Sequence, residues 1–182
     1  MTPRFNNFIP WILKWEGGEF ENDPDDPGGA TKWGIDQRSH PDVDIRNLTE
    51  QQAREIYFAS YWTPLRCEEL PPKVGEVVMN IGVNCGKSRA ARWLQQSFGV
   101  EADGIIGPVT LSMAKHYPPD VKASQLLYRT EFHYREIGRG KLAKYLRGWL
   151  NRNNDLRAVL KDRKSTRLNS SHVALSRMPS SA

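Results

Sequence analysis

Three side chains near the start of the chain have types and spacing suited to acid–base work on a substrate bond. Glu16 is followed nine residues later by Asp25 and fifteen later by Thr31, with Pro and Gly between them to force tight turns. A carboxylic acid that keeps its proton can hand it to a leaving group. A second carboxylate beside a hydroxyl can hold and polarise a water. The surrounding elements must position these groups. Phe5, Phe8, Ile9, Ile12 and Leu13 recur at spacings of three and four, which predicts a helix with one buried face. Gly17-Gly18 ends it where a left-handed cap would sit. Glu16 then stands in the last turn, against the negative pole of the helix and near Trp11 and Trp15, and both surroundings favour the protonated form.

Asp23, Asp25 and Asp26 crowd one short loop, so at least one should face a cleft. Asp23-x-Asp25 also resembles the start of a calcium loop, but Pro27 and Gly34 fall where further ligands are required. The calcium reading fails, and no metal or cofactor is implied.

The Glu16–Asp25–Thr31 spacing matches that of phage-type lysozymes. The wording EGG followed by NDPDDPGGATKWGI resembles the N-acetylmuramidases of glycoside hydrolase family 108. The resemblance runs through IYFASYW (Ile56–Trp62), MNIGVNCG (Met79–Gly86) and GWLNR (Gly148–Arg152), covering nearly all of residues 5–160. It implies catalytic roles for Glu16, Asp25 and Thr31, and substrate contacts drawn from Asp26, Trp33, Tyr61 and Asn84. Tyr61 suits either a sugar platform or the core. Asn84, like Asn80 on the same apolar segment, is either structural glue or a substrate contact, because a buried amide must be hydrogen-bonded.

LQQSFGVEADGIIGPVTLSMA (Leu94–Ala114) is similar to the LQ…DG…GP-x-T pattern of peptidoglycan-binding modules. Its physical content is a helix–turn–helix brace: Gly104 and Gly107 permit the turn, and Pro108 suits the first position of the next helix. Elsewhere, Trp33–Ile35 is expected as a strand of a small hairpin region between Phe20 and about Ile45. Thr49 and Gln52 open a helix by a capping box. Pro71-Pro72 breaks the chain before a buried helix ending near Gly82. Asp120 is expected to cap a helix to about Ile137, and a last helix spans about Lys141–Leu160.

The chain has 182 residues and a formal net charge of +5. DRKSTRLNSSH, from Asp162 to His172, reads like a frame of a sequencing-library adapter, and the rest is Ser-rich without an apolar period. Residues 161–182 are therefore expected as a disordered or artefactual tail, and they hold five Lys/Arg against one Asp. Residues 1–160 carry net +1 but are dipolar, with −6 over 1–70 and +6 over 115–160. The basic half could meet an anionic wall, an outer-membrane surface or nucleic acid, or be an ordinary solvated face. No nucleic-acid signature accompanies it. Cys67 and Cys85 could pair, and sequence alone does not say. No stretch approaches the roughly 18 apolar residues of a membrane span.

The expected architecture is mainly α, an α+β lysozyme-like fold in two lobes. Residues 1–70 form a small catalytic lobe with a short hairpin and the Glu16 loop; 71–160 form a helical, peptidoglycan-binding-like lobe of the same domain. The reaction the resemblance implies is hydrolysis of the β-1,4 bond between N-acetylmuramic acid and N-acetylglucosamine by acid-assisted, inverting water attack. A lytic transglycosylase, needing one acid only, and a non-catalytic peptidoglycan-binding or secretion-assisting protein are the alternatives; a nucleic-acid binder is weaker than either. The expected partner is peptidoglycan, met by a monomer without stable membrane insertion. With no signal peptide visible, synthesis is expected in the cytoplasm, with action on the wall after holin- or lysis-dependent release.

Overall fold

The computed structural model describes residues 1–22 and 29–175, with side chains described as far as Asp162. The fold is mainly helical with one small antiparallel sheet, as expected. Two compact units are present, Met1–Lys122 and Ala123–Ala182.

The first unit opens with α1 (Pro3–Glu16), whose buried face is Phe5, Phe8, Ile9, Trp11, Ile12 and Leu13. Thr2 caps it by accepting from the Phe5 amide at 3.2 Å. Gly17 closes it with φ 78° but ψ 147°, its N–H donating to the Leu13 carbonyl at 3.0 Å. The φ is left-handed as expected, yet the extended ψ sends the chain straight out of the helix instead of curling it back.

Strands β1 (Thr31–Lys32) and β2 (Ile35–Asp36) pair antiparallel, Thr31 opposite Asp36 and Lys32 opposite Ile35. The strand expected at Trp33–Ile35 is instead mostly a two-residue turn. Trp33 (φ 55°) and Gly34 (φ 68°) both take positive φ, the pattern of a type I′ turn that matches strand twist. Glu21 adds an isolated bridge to Thr31.

Helix α2 (Glu50–Tyr57) starts with the expected Thr49–Gln52 capping box. It runs into a π turn, Phe58–Trp62, in which Thr63 N–H reaches the Phe58 carbonyl at 3.0 Å. Helix α3 (Val74–Cys85) is buried over most of its length and ends at Gly86, not at Gly82. Gly82 lies inside the helix for a packing reason: a Cβ there would stand 2.5 Å from Leu65 Cδ1. Helix α4 (Lys87–Phe98) buries the expected Ala90, Ala91, Trp93, Leu94 and Phe98.

Pro71-Pro72 lies within the first unit, and one side chain spans it. Arg4 donates to both oxygens of buried Glu76 at 3.0 and 2.6 Å, and to the Leu70 and Pro71 carbonyls at 2.7 and 3.1 Å. α1 is thereby fastened across Pro71-Pro72 to α3. Gly75 is required beneath this clamp, since a Cβ would meet the Cys67 carbonyl oxygen at 2.3 Å. Cys67 and Cys85 are not joined by a disulfide, and burial pushes the Cys67 thiol well up.

The brace after α4 has a polar centre. Buried Gln95 donates to Asp103 Oδ1 at 2.6 Å and the Ile105 carbonyl at 2.9 Å, while its own oxygen accepts from Gly104 N–H at 2.9 Å. Helix α5 (Pro108–Ala114) then begins at Pro108, as expected.

Helix α6 (Pro119–Ile137) starts one residue before Asp120, which sits in its first turn and pairs with Lys73 instead of capping. In the second unit Leu126, Leu127 and Tyr134 of α6 are buried, as are Leu156 and Leu160 of α7 (Ala143–Leu175). Asn153 donates to the Leu127 carbonyl at 3.0 Å, and Trp149 stacks on Tyr134 with centroids 5.4 Å apart. A 3-10 turn, Gly140–Leu142, precedes α7. The α7 backbone continues past Leu160, so the helix crosses the tail boundary expected at residue 161.

Candidate active site

The EGG and KWG segments meet, and their glycines are what let them do so. Glu16 is half-buried at the end of α1. A Cβ on Gly34 would stand 2.6 Å from Glu16 Oε2 and 3.1 Å from Glu16 Cβ, so the hairpin turn lies directly against the carboxyl. A Cβ on Gly18 would stand 2.6 Å from the Trp33 ring. Gly17 turns the chain, Gly18 makes room for Trp33, and Gly34 makes room for Glu16.

Tyr57 supports the turn from beneath. Its ring is buried, and its hydroxyl donates to the Trp33 carbonyl at 2.8 Å. The same hydroxyl oxygen lies 2.9 Å from where a Gly34 Cβ would be. Tyr61 stacks on Tyr57, centroids 5.7 Å apart. Desolvation, followed by the negative charges of Glu16 and Asp36, holds the Tyr61 phenol above its ordinary range. Half-buried Tyr61 therefore belongs to the Glu16 neighbourhood, with Lys87 over its ring at 5.7 Å.

Thr31 lies on β1, its backbone bonded in both directions to Glu21 and its hydroxyl donating to the Gly29 carbonyl at 3.3 Å. Opposite it, Asp36 works against desolvation, yet its hydrogen bonds from Ser39 hold the carboxyl below its ordinary value. Trp33 is half-buried, and its indole Nε1 finds no acceptor among the described residues.

The other expected residues stand differently. Asp25 and Asp26 lie outside the described residues. Asn84 donates its amide to the carbonyl and to Oδ1 of Asn80, at 2.9 and 3.1 Å, which is the structural use of that side chain. Gly34, Gly18, Tyr57 and Asp36 were not anticipated as site residues. The signal for the glycines is present as the two dipeptides Gly17-Gly18 and Trp33-Gly34, and Tyr57 lies within the IYFASYW segment. Among the described residues no cluster of three or more His, Cys, Asp or Glu side chains is arranged to hold a metal ion.

A carboxyl at a helix end, faced by a hairpin turn and backed by tyrosines on a helical scaffold, defines a lysozyme-like fold. Residues 9–86 match the Glycosyl hydrolase 108 family, and residues 89–154 match the Predicted Peptidoglycan domain family. The chain is thus similar to a glycoside hydrolase domain followed by a domain of peptidoglycan type. Among solved structures it is similar to the "Structure of Brucella abortus SagA", at 27% identity and TM-score 0.75, covering 87% of this chain and 94% of that one. Compared with curated proteins, the sequence has no match.

Proposed function

We propose that the protein is a peptidoglycan hydrolase that cleaves the β-1,4 bond between N-acetylmuramic acid and N-acetylglucosamine with inversion at the anomeric carbon. The observation that carries this reading is the packing of the Gly34 turn on the Glu16 carboxyl, which fixes an acid against a hairpin in a glycosyl hydrolase 108 domain. Glu16 protonates the leaving glycosidic oxygen. Asp25, with the Thr31 hydroxyl, holds and polarises the attacking water; a carboxylate–hydroxyl pair suits a water-first displacement, which leaves about 6.5–9.5 Å between acid and base. Trp33 and Tyr61, with Asp26, contact the sugars. Asn84 is withdrawn from that set in favour of its bond to Asn80. Peptidoglycan is the partner, engaged by a monomer after release from the cytoplasm.

Two measurements on digested peptidoglycan test this. Mass spectrometry should find reducing ends, and early-time proton NMR should find the α-anomer first. Anhydro ends would make the enzyme a lytic transglycosylase. A β-anomer as first product would remove the water-holding role from Asp25 and Thr31. Glu16→Gln should cost on the order of 10² to 10⁴ in rate with the fold intact. Among the loop acids, Asp25→Asn should cost far more activity than Asp23→Asn or Asp26→Asn.

A further inference from the structure

The connection between α6 and α7 in the second unit combines two properties that a soluble helical unit normally keeps apart. Residues 137–154 contain Arg139, Lys141, Lys144, Arg147 and Arg152 and no acidic residue. All but Arg152 are exposed. Three apolar side chains stand out among them: Ile137 is 37% exposed, Leu142 42% and Tyr145 47%. They occupy consecutive turns of backbone, at the end of α6, in the 3-10 turn and in the first turn of α7. Arg139 N–H bonds to the Ile137 carbonyl at 2.8 Å and Leu142 N–H to the Arg139 carbonyl at 3.2 Å, so the turn is a defined structure. The neighbouring acids lie outside this turn: Glu131 is engaged by Arg135 and Arg157, and Glu136 is the last acid before it.

We infer that this turn docks the protein on an anionic lipid bilayer, its cations on the headgroups and Ile137, Leu142 and Tyr145 at the headgroup–acyl boundary. The cations alone would suit any polyanion. The exposed apolar side chains decide for lipid, because a soluble anionic polymer offers nothing apolar for them to enter. The association is peripheral, since no helix among the described residues is long and apolar enough to cross a membrane. It is independent of the catalytic reading above, because it uses none of the Glu16 neighbourhood.

The test is co-sedimentation of the full chain with vesicles of phosphatidylcholine alone and of phosphatidylcholine mixed with phosphatidylglycerol, with heparin–agarose retention as the lipid-free polyanion. Binding is expected to the mixed vesicles and not to the neutral ones. Lys141→Gln with Lys144→Gln should weaken vesicle binding more than tenfold, at about fivefold per cation. Ile137→Gln with Leu142→Gln keeps the charge; it should weaken vesicle binding several-fold and leave heparin retention unchanged. Because all four side chains are exposed, matching circular dichroism and melting curves confirm that the variants fold. Equal binding to neutral vesicles would overturn the inference. So would an Ile137/Leu142 double variant that sediments like the parent, since the turn would then be a plain polyanion site.

Discussion

Glu16 and Gly34 are in contact across the hairpin: a methyl group on Gly34 would stand 2.6 Å from the Glu16 carboxyl oxygen. Gly34 also takes φ 68°, which only glycine adopts without cost. Gly34→Ala should therefore do two separable things. Backbone strain should lower stability by about 1 kcal/mol. Displacing the acid by even an ångström should cost roughly a hundredfold in wall-clearing rate. A variant that melts lower but clears walls at the parent rate would show that the contact does not position the acid.

Tyr57→Phe tests the same turn from the other side. It deletes the donor to the Trp33 carbonyl, worth about 1 kcal/mol of stability. If the turn positions the acid, a loss of that size carried into the transition state is about fivefold in kcat, with KM nearly unchanged. Steady-state kinetics on a soluble glycan oligomer separate the two parameters. A change confined to KM would assign Tyr57 to substrate binding instead.

How much of this could be read from residue order varies with the kind of interaction. The helices, the Thr49 capping box, Pro108 at the head of α5 and the placement of Glu16 at a helix end all follow from local spacing and local hydrogen bonding. What escaped were contacts between segments far apart in sequence. Gly82 resembles a helix stop until Leu65 is seen lying against it. Trp33-Gly34 has the look of a strand until both φ values turn out positive. Pro71-Pro72 breaks the chain, but nothing in that dipeptide says that Arg4 reaches over it. Spacing identified Asn84 as a polar group on an apolar helix, but not that Asn80 would occupy its amide.

Breaking the Arg4 clamp should be costly. Arg4→Met leaves the Glu76 carboxylate, 4% exposed, without its guanidinium and removes the Arg4 donor to the Leu70 carbonyl, while the Pro71 carbonyl keeps the Val74 and Gly75 amides. A destabilisation of about 3–5 kcal/mol is expected. The paired replacement Arg4→Met with Glu76→Met should recover much of it, because the uncompensated buried charge is then gone. Denaturant unfolding of the two variants distinguishes these cases; equal losses would mean that the clamp acts through packing alone.

Acid stability should report on the brace. The Gln95 amide and then the Ile105 N–H hold the Asp103 carboxyl below its ordinary value. A depressed carboxylate contributes stability above its unfolded pKa, and that contribution is lost as pH falls through the folded value. Asp103→Asn should therefore be less stable than the parent at neutral pH. The two melting temperatures should converge as the pH drops below the usual carboxylate range. Parallel melting curves across the whole acid range would rule out the ionised Asp103 as the anchor.

The π turn at Phe58–Trp62 sets an angle. One extra residue is wound into that turn, so Trp62 can face Phe5 and donate to Glu68 at 3.1 Å while Tyr57 and Tyr61 stack beside the acid. Removing one residue would restore ordinary helical pitch at little cost in backbone bonding. It would also rotate Tyr57 by about 100° in azimuth relative to Tyr61 and Trp62. The helix is in effect a key whose two bits are cut at a fixed angle, one fitting the core and the other the cleft. The number of residues from Glu50 to Trp62 is thus as much a part of the site as their identities.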